Sequence, residues 1–372
     1  MIDLELAKNN VDMLGTFKSD PHKLYTELEA EGITLSQRLE TIDPSEVNPE
    51  TGKPIDGIDA LSRSLMSAEV YLDGPKQISL EKLVAKSLVL LPELVAREIK
   101  AGMNSTPRCD YTSLVAVRNE VSGPSYHPAY IPEMNLTSPQ STIGKNAKSL
   151  GRRTAAGQGG MFPVTSLRYR EKDVKVRDYG RQFEVSYKLL RAMPWQEFAV
   201  FLRLVGVQLS NDKLFDIYDL GITGDGTTGA ATDVFNGTAG SLTYTDLVHA
   251  YMQLDCSYEM NAMLCPVTSL ETVLTMAQFQ DPQAGFEFQK TGKLVTPIGS
   301  ELKQINTAPS GAPTGTKIVF LDKRFAVRET SAQPLMVESK KIIELKFEEA
   351  VVSEESVFTV LADGAIKQIV WT

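Results

Sequence analysis

Cysteine, histidine and tryptophan are all scarce in this chain of 372 residues, numbering three, three and two. Cys109, Cys256 and Cys265 are an odd count in a long chain, which excludes a disulfide framework and fits buried, reduced thiols. No Cys-x-x-Cys occurs, and no fourth ligand joins His249, Cys256 and Cys265 at zinc-finger spacing. Structural zinc usually takes four ligands, so no metal and no other cofactor is expected. His22, His127 and His249 sit in unrelated contexts, without a His-Glu-x-x-His or a Gly-x-Ser-x-Gly string. No catalytic residue is therefore assigned, and the chain is not read as an enzyme. Long apolar runs are missing too. The longest, Leu83 to Ile99, is broken by Lys86, Pro92, Glu93, Arg97 and Glu98, short of the roughly 18 residues of a membrane span. The opening Met1-Ile2-Asp3-Leu4-Glu5 lacks the basic-then-apolar order of a signal peptide. A soluble protein made in a cytoplasm is expected.

What is present is ordinary in amount and uneven in placement. Hydrophobic residues make up 42% and charged residues 23%, as in globular proteins, and the length suggests two or three structural units. The net charge of −9 excludes a basic nucleic-acid binder. Residues 1–76 carry fifteen acids against seven bases, or −8. Residues 145–181 carry ten bases against three acids, or +7. These are either two solvated surfaces or an acidic arm of one subunit that meets the basic segment of another. On the second reading the subunit-interface candidates are Lys145, Lys148, Arg152, Arg153, Arg168, Arg170, Lys172, Arg177 and Arg181.

Residues 1–79 read as an arm. Short helical stretches, Pro21 to Glu31 and Ile58 to Leu72, are separated by turn signals at Asp43-Pro44-Ser45, Asn48-Pro49 and Gly52-Lys53-Pro54. Such an arm has little apolar surface and is expected to order by lying on something else. Residues 79–101 read as helical, with Pro92 starting a second segment, and residues 110–121 as strand-like. From Ser122 to Gly160 the chain is rich in Gly, Pro, Ser and Thr without periodicity, and a loop of that length tends to be functional. Arg168, Arg170 and Lys172 then alternate with Tyr169 and Glu171, polar on both faces, which fits a projecting hairpin. Phe183, Val185 and Tyr187 continue the strand pattern. Residues 194–219 are the strongest helix. Trp195, Phe198, Leu202, Val205 and Leu209 form its core stripe, and Phe201, Leu204 and Val207 a second apolar face, so both sides are expected to be covered. Two further helices, Tyr244 to Asp255 and Leu270 to Gln278, follow box-like starts at Thr243-x-x-Asp246 and Thr268-x-x-Glu271. Strands are expected at Lys317–Leu321, Phe325–Glu329, Lys341–Phe347, Val357–Leu361 and Ile366–Trp371. The layout is α+β, without a βαβ rhythm or an internal repeat.

Gly224-Asp225-Gly226-Thr227-Thr228-Gly229 matches a dinucleotide string but leaves a helix rather than a strand, so it reads as a flexible connector. The glycines around Arg152 and Arg153 suggest phosphate contact, yet no aromatic residue is interleaved for base stacking, and a protein contact or a solvated loop tip fits better.

The order of these parts, together with local strings, resembles the major capsid protein of tailed bacteriophages, with the Hong-Kong-97-type fold. The strings are Tyr179-Gly180-Arg181-Gln182-Phe183-Glu184-Val185-Ser186-Tyr187-Lys188-Leu189-Leu190, where Lys188 replaces the family's acid, Gly224-Asp225-Gly226-Thr227, Met263-Leu264-Cys265-Pro266 and Leu294-Val295-Thr296-Pro297-Ile298-Gly299. The resemblance covers residues 80–372. It implies an extended loop over residues 122–180 and a spine helix. It divides the peripheral domain among residues 80–121, 181–219 and the returning strands 341–372, and it places an axial domain at residues 220–340, beyond the acidic arm of residues 1–79. It implies self-assembly into pentamers and hexamers of an icosahedral shell around double-stranded DNA, hence a virion location after assembly in a host bacterial cytoplasm. Portal, scaffolding and decoration proteins are further implied partners, with only non-specific DNA contact and no membrane. Some members cleave an N-terminal scaffolding segment, which the Met1 start argues against. Some crosslink through a loop lysine, and Lys145 and Lys148 lie in the matching loop. An encapsulin-like cargo shell, or an enzyme holding a phosphorylated ligand at the Gly-rich linker, are the alternatives.

Overall fold

The computed structural model describes residues 28, 33–46, 54, 58–67, 69–72, 90–105, 110–121, 123–131, 168–254, 258–279, 299–306, 315–342 and 347–371. Its elements in chain order begin with helices α1 (Leu35–Ile42), α2 (Ala60–Ser67) and α3 (Leu91–Met103). Strands β1 (Val115–Glu120), β2 (Ser125–Tyr126), β3 (Ala129–Tyr130), β4 (Arg168–Tyr169), β5 (Val174–Lys175) and β6 (Arg177–Ser186) come next. Then follow α4 (Tyr187–Ala192), α5 (Trp195–Thr223), β7 (Thr232–Asp233), α6 (Tyr244–Gln253), β8 (Ala262–Pro266) and α7 (Val267–Leu274). The chain closes with β9 (Glu301–Ile305), β10 (Lys317–Leu321), β11 (Val327–Ile342), β12 (Phe347–Val360) and β13 (Ile366–Val370). The mixed helix-and-sheet class is the α+β class read from sequence. Two compact units divide the chain: Met1–Met103, Gly180–Gly206 and Leu335–Ser353 form one, and Asn104–Tyr179, Val207–Pro334 and Glu354–Thr372 the other.

In the first unit, α1 starts at a capping box. Thr34 N–H donates to Gln37 Oε1 at 2.8 Å, and Gln37 N–H to Thr34 Oγ1 at 3.3 Å. Leu35 and Leu39 of α1, Leu61 and Leu65 of α2, and Leu94 and Ile99 of α3 are buried. Ser36 Oγ donates to Glu93 at 2.6 Å, and Arg97 pairs with Asp59 at 2.5 Å, tying α1 and the start of α2 to α3. Residues 33–46, 58–67 and 69–72 therefore order against their own unit, which answers for part of the expected arm what it lies on. The reading from sequence missed this because each eight-residue helix shows only two to four core positions. The expected helix Pro21–Glu31, apart from Leu28, lies outside the described residues. Trp195, Phe183, Phe198 and Phe201 form an aromatic cluster with ring centroids 5.7–6.2 Å apart.

In the second unit, a five-stranded sheet has the order β7-β13-β10-β8-β9. β8 runs parallel to β9, Met263 opposite Leu302, and β10 antiparallel to β13, Ile318 opposite Ile369. β8 is buried throughout, as a strand covered on both faces should be. Met263, Cys265, Ile318, Phe320 and Ile369 pack with Leu247 of α6 and Leu270 and Val273 of α7. The alternate residue Val319 faces α5, where a Cβ at Gly221 would stand 2.5 Å from Val319 Cγ1, and Tyr218 Oη donates to the Lys317 carbonyl at 3.2 Å. A four-stranded sheet has the order β1-β11-β12-β6, of which β1, Val327–Pro334, Glu354–Val360 and Arg177–Tyr179 belong to this unit, and β2 and β3 pair with β5 and β4 as a ribbon.

Several expectations need correction. The helix read over 194–219 runs on to Thr223, because Gly221 packs against Val319 instead of ending it. The strands read at Phe325–Glu329 and Val357–Leu361 overlap only the start of the much longer β11 and the end of the much longer β12. Polar residues between the apolar runs hid this, since ladder hydrogen bonds do not depend on side-chain polarity. Lys341–Phe347 overlaps the ends of both strands, and residues 343–346 lie outside the described ones. The Thr243-Asp246 start forms, with Asp246 Oδ2 accepting from Thr243 N–H and Oγ1 at 2.8 and 2.7 Å. The Thr268-Glu271 start does not, because Pro266 ends β8 and caps α7 directly, which leaves Thr268 inside the first turn.

Candidate functional site

α5 is apolar around most of its circumference, and its own chain covers only part of it. Within the first unit Trp195, Phe198, Leu202 and Val205 are buried, whereas Val200, Phe201 and Leu204 remain 64%, 40% and 56% exposed. In the second unit the outer face of α6 leaves Val248, Tyr251 and Met252 exposed, the last at 71%. Exposed apolar groups clustered on one helical face mark contact surfaces rather than catalytic ones. The expectation that both faces of the long helix are covered does not hold within a single chain. Leu209, the last residue of the expected stripe, is buried in the second unit.

The basic segment behaves unevenly. Arg170 is an internal clamp. Its guanidinium lies 3.6 Å from the Tyr130 ring centroid, and Nη2 donates to Asp363 Oδ1 at 2.6 Å. Backbone bonds reinforce the clamp: Arg170 N–H donates to the Pro128 carbonyl at 2.9 Å and Ile131 N–H to the Leu361 carbonyl at 2.7 Å. Arg177 pairs with Asp216 at 2.9 Å, Arg181 donates to the Gly180 carbonyl at 3.3 Å, and Lys172 is exposed. Arg168 belongs to β4. Lys145, Lys148, Arg152 and Arg153 lie outside the described residues. On the acidic side, Asp43 pairs with Arg63 at 2.7 Å, and Glu40 accepts from Ser45 and Ala60. These carboxylates are engaged within their own unit.

The Gly-Asp-Gly segment is a tight hydrogen-bonded turn, not a flexible connector. Asp225 Oδ1 accepts from Thr227 N–H at 2.9 Å and Oγ1 at 2.6 Å, and from Thr228 N–H at 2.6 Å and Oγ1 at 2.9 Å. Burial alone would raise the Asp225 carboxyl, but these bonds hold it below the usual carboxylate range. Gly224 has φ +87°, and a Cβ there would stand 2.2 Å from the Thr228 carbonyl oxygen. The turn follows α5 and opens no helix, so it lacks the N–H cradle of a dinucleotide loop.

A cavity of about 320 Å³ lies beside this turn, lined among others by Asp173, Arg177, Tyr179, Asp216 and Asp225. Three of its carboxylates are engaged: Asp173 with His127 at 3.0 Å, Asp216 with Arg177 and the Tyr179 hydroxyl, and Asp225 with its own turn. Burial and the Asp216 charge push the Tyr179 hydroxyl far above its usual range. Among the described residues no three His, Cys, Asp or Glu side chains group to hold a metal, and no helix is long and apolar enough to cross a membrane. Cys256 lies outside the described residues, and burial pushes the Cys265 thiol up, away from reactivity.

The reading from sequence missed Tyr130 and Asp363 as the anchors of Arg170, and Lys213 as a buried cation. Nothing local marks them, because their partners are 34 to 193 residues away.

No protein-family model matches this chain, and no curated protein matches it. Among solved structures it is similar to a virus-like particle from Pyrococcus furiosus, with 10% identity and a TM-score of 0.46 over 75% of this chain and 99% of that one. It is similar to the capsid of a native GTA particle, with 15% identity and a TM-score of 0.47 over 72% and 91%. A third similar structure is the capsid of the Cyanophage P-SCSP1u, with 14% identity and a TM-score of 0.41 over 70% and 87%.

Proposed function

We propose that the chain is a shell subunit that assembles with copies of itself into pentamers and hexamers of a closed capsid around double-stranded DNA. The observation that carries the reading is the half-covered α5: a 29-residue helix with Val200, Phe201 and Leu204 left exposed on the single chain. A solvated helix would carry polar residues there, and a subunit of a large assembly would not. Further support comes from the string Tyr179 to Leu190, which leads through β6 and α4 into α5 as in the major capsid proteins it resembles. The exposed face of α6 supplies a second contact surface. On this reading the ribbon β2–β5 carries the extended loop, the Gly-Asp-Gly turn links α5 to the axial domain, and the buried α5 stripe is the spine of the peripheral domain. Lys145, Lys148, Arg152, Arg153, Arg168 and Lys172 are the subunit-contact lysines and arginines. Arg170 and Arg177 aim the ribbon from within, and Arg181 borders the spine. Contact with packaged DNA is non-specific and salt-sensitive, given the net charge of −9. Portal and scaffolding proteins are the other partners, the virion is the location, and no enzymatic step is assigned.

Sedimentation velocity with negative-stain imaging of the purified chain tests this. Closed shells or ring-like capsomers are expected, with or without a scaffolding partner. A strictly monomeric profile across concentration under both conditions overturns the reading.

A further inference from the structure

Lys213 of α5 is fully buried, with 0% side-chain exposure. Its ammonium donates to Glu354 of β12 at 2.6 Å, Glu329 of β11 at 3.2 Å and the Tyr111 hydroxyl at 3.2 Å. It also lies 4.8 Å from the Tyr111 ring centroid and 5.5 Å from that of Tyr179 on β6. Arg118 of β1 reaches the second oxygen of Glu329 at 3.1 Å. Each of the four strands of the β1-β11-β12-β6 sheet thus supplies a group to one cluster around one helical side chain. Phe358 packs edge-on against both tyrosines, at 5.9 and 6.5 Å, and helps exclude water. Lys213 and Arg118 balance Glu329 and Glu354 in charge.

Stability does not explain the cluster. Taking an ammonium and two carboxylates out of water costs about as much as their mutual attraction returns, and a well-packed apolar side chain often does as well or better. What an apolar side chain does not supply is direction. Leu209, Leu214, Ile217, Tyr218 and Leu220 are all buried on this part of α5, so greasy packing alone leaves several rotations of the helix nearly equivalent. A point charge with fixed partners admits only one.

We propose that Lys213 is a register pin: its ammonium, seated between Glu329 and Glu354, selects one rotation of α5 residues 207–223 over the four-stranded sheet. The inference does not depend on shell assembly, and its test uses the unassembled full-length subunit. Two variants are compared with wild type, Lys213→Met and the triple Lys213→Met/Glu329→Gln/Glu354→Gln. The single variant strands two carboxylates and is expected to lose stability. The triple variant removes every buried charge and is expected to unfold cooperatively near the wild-type temperature. Peptides covering 207–223 should nonetheless lose hydrogen-exchange protection by roughly 10-fold or more, while β8, β10 and β13 keep theirs. Wild-type protection over 207–223 in the triple variant overturns the pin, because the helix then seats uniquely without the charges. Failure of the triple variant to fold also overturns it, because the ions would then supply stability and not register.

Discussion

Replacing Gly206 by alanine tests the closest helix crossing in the first unit. A Cβ at Gly206 would stand 2.1 Å from the Ile99 carbonyl oxygen and 2.9 Å from Met103 N, and one at Gly102 would stand 2.2 Å from the Arg203 carbonyl oxygen. Both obstructions are backbone, so no rotamer change relieves them, and α3 and α5 must separate by about 1 Å to restore ordinary contact. Overpacking of this kind costs about 1–3 kcal/mol, and rigid backbone on both sides argues for the upper end. Alanine returns about 1 kcal/mol through helix propensity. The net expectation is a loss of about 2 kcal/mol in the first unit. Separation also lengthens the Arg203–Glu98 pair, now 2.8 Å, which is half-exposed and adds little. Trp195 is 3% exposed in this unit, and the other tryptophan, Trp371, belongs to the second unit. Urea unfolding followed by Trp195 fluorescence in a Trp371→Phe background therefore reports the first unit alone. Gly229→Ala, where a Cβ would meet nothing within 4 Å, is the control and should change little. Gly102→Ala should cost a similar amount, but the double variant less than the sum, since one separation relieves both clashes. A Gly206→Ala variant as stable as wild type, or more so, would mean that propensity wins and that the backbones do not meet.

Val200→Asn with Leu204→Gln on α5, and separately Met252→Lys on α6, should leave the subunit folded while lowering shell yield by roughly 10-fold or more in sedimentation assays, because the changes fall on exposed positions; normal assembly in both would remove the helix faces from the interface. Asp363→Asn or Arg170→Lys should loosen the ribbon, read as faster proteolysis near residues 123–131 and 168–176 with unchanged global melting, since the planar guanidinium both stacks on Tyr130 and pairs with Asp363. Alkali should destabilise the second unit. Burial pushes Tyr111 up to about 12, and Lys213, which burial alone would lower, is held above its ordinary range by Glu354, Tyr111 and Glu329. Both folded values exceed the unfolded ones, so this stability is complete below the unfolded values of 10.0 and 10.5 and declines as pH rises beyond them; a melting temperature flat through that range contradicts it. Asp225 and Asp322 are held low instead, so their contribution is present above the ordinary carboxyl value of 3.8 and is lost as pH falls below it, an acid limb that Asp225→Asn should shrink.

Local pattern alone determined the long helix, the Thr243 start of α6, the strands β10 and β13, the α+β class and the scarcity of cysteine and histidine. Each depends on the spacing of neighbouring residues or on composition, and both are complete in the sequence. Tertiary structure decided the rest. Phe201 and Leu204 are apolar whether a helix face is covered or bare, and only packing distinguished Leu202, buried, from Leu204, exposed. Arg170 belongs to a basic run by composition, yet Asp363, 193 residues away, makes it an internal clamp. The short helices α1 and α2 looked too sparse to fold because their core is shared with α3, and Lys213 looked like any helical lysine until Glu329 and Glu354 closed around it from two strands. Burial and charge pairing are properties of neighbours in space, and a one-dimensional pattern carries no record of which distant residues become neighbours.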